Sequence, residues 1–166
     1  SLTDDVADLA MALTHMLWRD LVRAAAHARS GAWQQGRFEV GDSLVDMTMG
    51  IAGLSGRIGQ AIATRARASR MKIAGLDRAS NQGLGASLHD GWKALAAASD
   101  VLVLAVPGTT DLMNIIGREE LKALGPKGRL INVGRGTLVD TNALIEALQM
   151  QTIAGAALDV LDTEPI

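Results

Sequence analysis

Two periodicities divide the chain. Over residues 3–29, Val6, Leu9, Ala10, Leu13, Leu17 and Leu21 recur at helical spacing, which predicts one long amphipathic helix. Thr3 can cap it, Asp4 and Asp5 suit the positive end of its first turn, and Gly31 can stop it. A connector rich in Gly, Gln and Asp follows over 31–45. Beyond it, short apolar runs alternate with amphipathic segments. The pattern predicts strand Met47–Ala52, helix 57–68 and strand Met71–Leu76. A loop over 78–89 follows, with a short strand near Ala86–Leu88, then helix Asp90–Ala98. Val101–Val106 is a continuous apolar run of the fully buried kind, broken by Pro107-Gly108. Helix Arg118–Leu124, strand Arg129–Val133, helix Thr141–Met150 and strand Ile153–Val160 complete the pattern. Repeated β-α alternation predicts an α/β fold with a parallel, doubly wound sheet behind a long N-terminal helix.

Composition narrows the function classes. The chain has 166 residues, long enough to bury a real core, and 48% are apolar, which argues against disorder. A net charge of −2, with both signs mixed along the chain, gives no support to a nucleic-acid or anionic-membrane partner. With no cysteine there is no disulfide framework and no thiolate metal site. No apolar run approaches the roughly 20 residues of a membrane-spanning helix, and no signal peptide is visible, so the expectation is a soluble cytoplasmic protein. The chain opens on Ser1 and stops just after a turn signal at Asp162–Ile166, which reads as a domain excised from a longer chain. His15 and His27 are expected on the surface or at an interface of the first helix, and His89 in a loop. Their separation makes a poor metal site. Met11, Met16, Met47, Met49 and Met71 read as core filler. Trp18, Trp33 and Trp92 are too isolated to form a stacking platform for bases.

Candidate chemistry sits where predicted strands end. Gly53-Leu54-Ser55-Gly56-Arg57-Ile58-Gly59 follows a strand and opens a helix, so its backbone N–H groups face whatever lies above the helix N-terminus, favouring a pyrophosphate. In this context the fold reads as Rossmann-type. The spacing is G-x-x-G-x-x-G, one residue longer than the usual G-x-G-x-x-G. The plainer reading is a tight turn that needs glycine for sterics alone. Asp77 ends the second strand, where a carboxylate can accept both ribose hydroxyls of NAD and repels the 2′-phosphate of NADP. Neighbouring Arg78 pulls the other way, so NAD and NADP both stay open. Arg135, flanked by Gly134 and Gly136 after an apolar strand, offers a rigid guanidinium fork that fits a carboxylate. Asp159 and Glu164 close the series at the last strand, and each alone reads as a solvated carboxylate.

Together these residues resemble the nucleotide-binding domain of the D-2-hydroxy acid dehydrogenase family, particularly its glyoxylate/hydroxypyruvate reductase and phosphoglycerate dehydrogenase branches. The resemblance covers nearly the whole chain. It is closest at Gly50–Ala63, Ser99–Pro107, Leu130–Asp140 and Ile153–Pro165. It implies that 1–166 is a dinucleotide-binding domain whose substrate domain lies in sequence the chain lacks. It also implies roles. Arg57 and Ile58 lie over the pyrophosphate within the cofactor-binding turn of Gly53, Ser55, Gly56 and Gly59, Asp77 binds ribose, and Val106, with Pro107 behind it, lies under the adenosine half. Val133 and Gly134 offer backbone to the nicotinamide, and Asp159 lies near its carboxamide. Arg135 holds the substrate carboxylate and carbonyl. Glu164 pairs with a catalytic histidine that lies beyond Glu164-Pro165 in the family. The implied activity of the parent protein is hydride transfer between NAD or NADP and a small 2-oxo or 2-hydroxy acid such as glyoxylate or hydroxypyruvate. The fragment alone is expected to bind NAD(H) weakly and turn nothing over. A cofactor-sensing corepressor of the same family is the alternative. The apolar first helix implies a homodimer. Two further departures stand out. Arg70 and Gln151 occupy positions where the family has helix-ending glycines. A non-glycine residue in the left-handed region costs on the order of 1–2 kcal/mol, so those helices are expected to end another way.

Overall fold

The computed structural model describes residues 1–164, and Pro165, the last residue of the family-like closing stretch, lies outside the described residues. Six parallel strands form one sheet in the order β3-β2-β1-β4-β5-β6. They are β1 Thr48–Ala52, β2 Lys72–Leu76, β3 Ser87–His89, β4 Val101–Leu104, β5 Arg129–Asn132 and β6 Gly155–Leu158. The helices are α1 Leu2–Trp18, α2 Leu21–Ser30, α3 Arg57–Ala68, α4 Gly91–Ala97, α5 Arg118–Leu124 and α6 Thr141–Gln149.

Alternation along the strands sorts the apolar side chains into two cores. Met49, Ile51, Ile73, Val101, Val103 and Ile131 pack with α1 and α3 on one face. Ala52, Ala74, Leu76, Leu102, Leu104 and Leu130 pack with α4, α5 and α6 on the other. Burial on both faces is why these strands read as continuous apolar runs. Among the described residues, no helix is long and apolar enough to cross a membrane.

The first helix differs from the sequence expectation. One amphipathic stripe predicted a helix over 3–29, but the chain breaks after Trp18 and restarts at Leu21. Asp20 is the hinge, in the left-handed region at φ 52° and ψ 42°, a conformation Asp tolerates better than most residues. Trp18 fixes the end of α1: it is buried, and its indole N–H donates to the Ser43 carbonyl at 3.1 Å. Leu21 keeps the helical spacing but is 45% exposed, so the pattern runs through a break it cannot register. Thr3 lies inside α1, and Ser1 stands at its N-cap position with its hydroxyl donating to Asp4 at 3.0 Å. Gly31 closes α2 in the left-handed region, as the sequence suggested.

Smaller differences follow from local geometry. β4 ends at Leu104 rather than Val106, β6 is confined to Gly155–Leu158, and His89 sits in β3 rather than a loop. Met16 is 40% exposed and fills no core. Arg70 and Gln151 overturn the expectation that their helices end another way. Both are left-handed, at φ 60° and 55°. The N–H of Met71 donates to Ala66 and that of Arg70 to Arg67; Thr152 to Ala147 and Gln151 to Leu148 repeat the pattern. Both are Schellman ends carrying a non-glycine residue at the position glycine usually takes.

Candidate functional site

The β1–β4 neighbourhood is the point where the order of strands reverses. Helices following β1 and β4 leave toward opposite faces of the sheet, α3 with one core and α5 with the other, and open a crevice at the carboxyl ends. Three of the predicted residues meet there. Gly53 turns the chain out of β1 at φ 93°, so close to the next strand that a Cβ would lie 2.7 Å from the Ala105 carbonyl oxygen and 3.1 Å from Val106 Cγ1. A Cβ on Gly134 would lie 2.7 Å from the Val106 carbonyl oxygen. Gly53, Val106 and Gly134 therefore form one continuous backbone floor across three strands.

The longer glycine turn is closed by an internal bond. Gly56 N–H donates back to the Gly53 carbonyl at 2.9 Å, which absorbs Ser55 as part of a closed turn. Gly56 then serves as N-cap of α3, and a Cβ at Gly59 would fall onto the Gly53 carbonyl, so only glycine lets helix and turn approach. Beneath them Leu54 is fully buried and its carbonyl accepts from Gln60 at 2.6 Å. As the first residues of α3, Arg57, Ile58 and Gly59 carry N–H groups without intrahelical acceptors, at the positive end of the helix.

Arg135 is held by its own strand. Asn132, 1% exposed at the end of β5, donates through Nδ2 to the Arg135 carbonyl at 2.8 Å and accepts from Gly134 N–H at 3.0 Å. This two-bond clamp fixes the Gly134-Arg135 turn. The Arg135 side chain passes beside Gly108, where a Cβ would lie 2.8 Å from its Cβ and 2.7 Å from its Cγ, and Nη1 donates to the Gly134 carbonyl at 2.7 Å. Arg135 as a whole is exposed.

The remaining candidates lie around this centre. Asp77 is exposed just beyond β2, and its Oδ1 accepts from Gln82 Nε2 at 3.1 Å. Asp159 is exposed after β6, with its N–H bonded to the Asn132 carbonyl at 2.9 Å, so Asn132 ties β6 to the Arg135 turn. Pro107 is exposed and Val133 buried at the ends of β4 and β5. Glu164 Oε1 accepts from Leu161 N–H at 2.7 Å, and the Leu161–Asp162 backbone lies directly over Gly136. Arg135 and Glu164 thus belong to two segments packed on each other, but make no bond to one another.

The sequence profile of D-isomer specific 2-hydroxyacid dehydrogenase, NAD binding domain, matches residues 11–166. The chain belongs to this family. It is 45% identical over 165 residues to 2-ketogluconate reductase from Gluconobacter oxydans, covering 99% of this chain and 53% of that protein. It is 43% identical over 164 residues to a glyoxylate/hydroxypyruvate reductase from Arabidopsis thaliana, covering 99% and 52%. Among solved structures it superposes with TM-score 0.91 and 46% identity on the NADPH-dependent glyoxylate/hydroxypyruvate reductase from Sinorhizobium meliloti in complex with NADP and malonate, covering 99% of this chain and 52% of that one. The chain spans about half the length of these relatives. They are reductases, which favours the enzyme reading over the corepressor one.

A dinucleotide of the kind this 2-hydroxyacid dehydrogenase family uses fits the residues present. Gly53 and Gly134 let the strand ends pack closely around Val106, the α3 N-terminus offers free N–H donors, and Asp77 stands at the tip of the adjacent strand. Sequence reasoning missed Asn132 and Gly108. The signal for Asn132 was available: a lone amide inside an apolar strand must find partners when buried, and the nearest are the loop that follows it.

Proposed function

We propose that residues 1–166 form the cofactor domain of an NAD(P)-dependent reductase acting on small 2-oxo acids such as glyoxylate or hydroxypyruvate. The observation that carries this reading is the Asn132 clamp, which holds the exposed Arg135 beside the crevice. Bound NAD(P)H supplies the hydride. Arg57, Ile58 and Gly59 N–H groups receive the pyrophosphate, with Gly53, Ser55 and Gly56 shaping the turn, and Asp77 receives the adenosine ribose. Val106 and Pro107 line the adenosine side, Val133 and Gly134 the nicotinamide side, and Asp159 orients the carboxamide. Arg135 grips the substrate carboxylate and stabilises charge growing on the carbonyl oxygen. Glu164 positions a general-acid histidine contributed from outside the described residues. A carboxylate beside that imidazole raises its pKa toward neutrality. Such a reductase works on the reduced-nicotinamide pool of the cytoplasm.

A second copy of the chain is the proposed partner. Among the described residues, α2 buries none of its side chains, and Leu21, Val22, Trp33 and Val40 are 45%, 63%, 62% and 71% exposed. Val22 and Val40 border a concavity of about 940 Å³ floored by Leu13, Leu17 and Trp18. The same concavity is also lined by Asp20, Arg23, Arg37, Glu39 and Arg129, so exposed apolar side chains stand among charges of both signs, a mixture that a two-fold dimer can cover and pair on both copies at once.

Turnover tests the enzymatic reading. The intact protein containing this chain should consume reduced nicotinamide when given glyoxylate or hydroxypyruvate. Arg135→Lys should lower kcat/KM by about 100-fold or more, because an ammonium cannot form the same fork. Unchanged kinetics in that variant would remove Arg135 from the site.

A further inference from the structure

The chain leaving β4 runs along the Arg135 turn and meets it with a residue that has no side chain. A Cβ on Gly108 would lie 2.7 Å from Arg135 Cγ, 2.8 Å from Arg135 Cβ and 3.1 Å from Thr137 Oγ1. Gly108 is not one of the left-handed glycines, so its backbone conformation does not call for glycine, but the space around it does. The clash would fall on the root of the arginine and not on its tip. Turning χ1 moves Cγ and all that lies beyond it, but leaves Cβ where it is. A methyl group at 108 therefore has to shift backbone on one side of the contact or the other.

Both sides are tied. Asn132 holds the Arg135 carbonyl and the Gly134 N–H. The segment after β4 is fixed at its near end, where the Val106 carbonyl lies against Gly134. Its far end is stitched to the stretch that follows Arg135. Asn114 N–H donates to the Thr137 carbonyl at 2.9 Å and Ile116 N–H to the Leu138 carbonyl at 3.1 Å, while Asp140 N–H donates back to the Ile116 carbonyl at 3.0 Å. Ile116 and Leu138 are fully buried. Gly108 and Arg135 thus face each other between two segments that are joined at both ends.

We propose that Gly108 is a positioning residue for Arg135, an inference that rests on reading Arg135 as the group that grips the substrate carboxylate. The absent side chain keeps open the slot in which the arginine stem lies. A larger residue there slows reduction by moving the guanidinium, not by loosening the cofactor. The fork holds a carboxylate through two parallel bonds, so its placement matters more than its charge alone. A shift of about 1 Å in a group that orients substrate costs on the order of 100-fold in rate. Asp77 and the α3 N-terminus follow β2 and β1, away from the contact between the β4 and β5 loops, so nucleotide binding is left in place.

A double-mutant cycle on the intact protein containing this chain, with glyoxylate as substrate, tests this. Gly108→Ala is expected to lower kcat/KM by about tenfold or more and to raise KM, while the NADH Kd from calorimetry stays within about twofold of wild type. In an Arg135→Ala background the same substitution should cost less than about twofold. Arg135→Ala keeps the Cβ that a methyl at 108 would strike but removes the guanidinium, so a purely steric effect persists there and a positioning effect disappears. Wild-type kcat/KM in Gly108→Ala, or an equal loss in both backgrounds, overturns the role of Gly108 and leaves that of Arg135 intact. A Gly108→Ala protein that fails to fold, or that loses NADH binding together with turnover, assigns Gly108 to the fold and overturns the role as well. Wild-type kinetics in Arg135→Ala alone would defeat the reading of Arg135 and this inference with it.

Discussion

Replacing Asn132 should damage the fold and the site by one route. Its amide makes two bonds to the Arg135 turn, and the side chain is almost wholly buried. In Asn132→Ala, the Arg135 carbonyl keeps a second donor, Leu138 N–H at 3.2 Å, but buried Gly134 N–H loses its partner. Two lost bonds at about 1 kcal/mol each, plus part of the ~1–3 kcal/mol penalty for a stranded buried donor, give a destabilisation of about 2–4 kcal/mol. For a chain of this size that lowers Tm by roughly 5–15 °C. Asn132→Leu separates the two causes: it restores the volume yet makes neither bond, so it should recover little of the loss. Urea unfolding followed by Trp fluorescence reads both variants. Asn132→Leu unfolding at the wild-type urea concentration would refute the clamp and leave only packing as the role of this residue.

Four further outcomes follow from the same structure. Arg70→Gly and Gln151→Gly should each stabilise the chain by about 0.5–1 kcal/mol, since glycine relieves the left-handed strain but adds freedom to the unfolded chain; a loss of stability in either would contradict the Schellman assignment. Gly59→Ala should destabilise by about 1–3 kcal/mol and weaken NADH binding, because the new methyl drives α3 away from the Gly53 turn; wild-type values in both measurements would show that the turn can yield. Val22→Asp should convert a dimer to a monomer in light scattering at micromolar concentration, and an unchanged mass would remove the α2 face from the interface. The 166-residue chain by itself should not reduce glyoxylate with either cofactor, and measurable turnover would show that the substrate pocket needs nothing beyond it.

The sheet was legible because its four central strands, β1, β2, β4 and β5, are buried on both faces, so hydropathy carried most of the arrangement. Arg135, Asp77 and the glycine turn were legible because each follows an apolar run, at the edge where such sheets bind ligands. The break at Asp20 was not, since a left-handed hinge followed by Leu21 preserves the helical spacing while redirecting the chain. The endings at Arg70 and Gln151 misled for a related reason. Non-glycine residues carry a conformational cost, but the packing of α3 and α6 against the sheet outweighs it. The Gly108–Arg135 contact was invisible because it depends on how two loops from neighbouring strands face each other. Sequence spacing records neither.

Amide chemical-shift mapping of the 166-residue chain during titration with NADH tests the central claim most directly. The account predicts saturable shifts centred on Arg57, Ile58, Gly59, Asp77, Val106 and Gly134, with the α5–α6 face unmoved. Absence of saturable shifts, or shifts confined to residues away from the β1–β4 crevice, would contradict it.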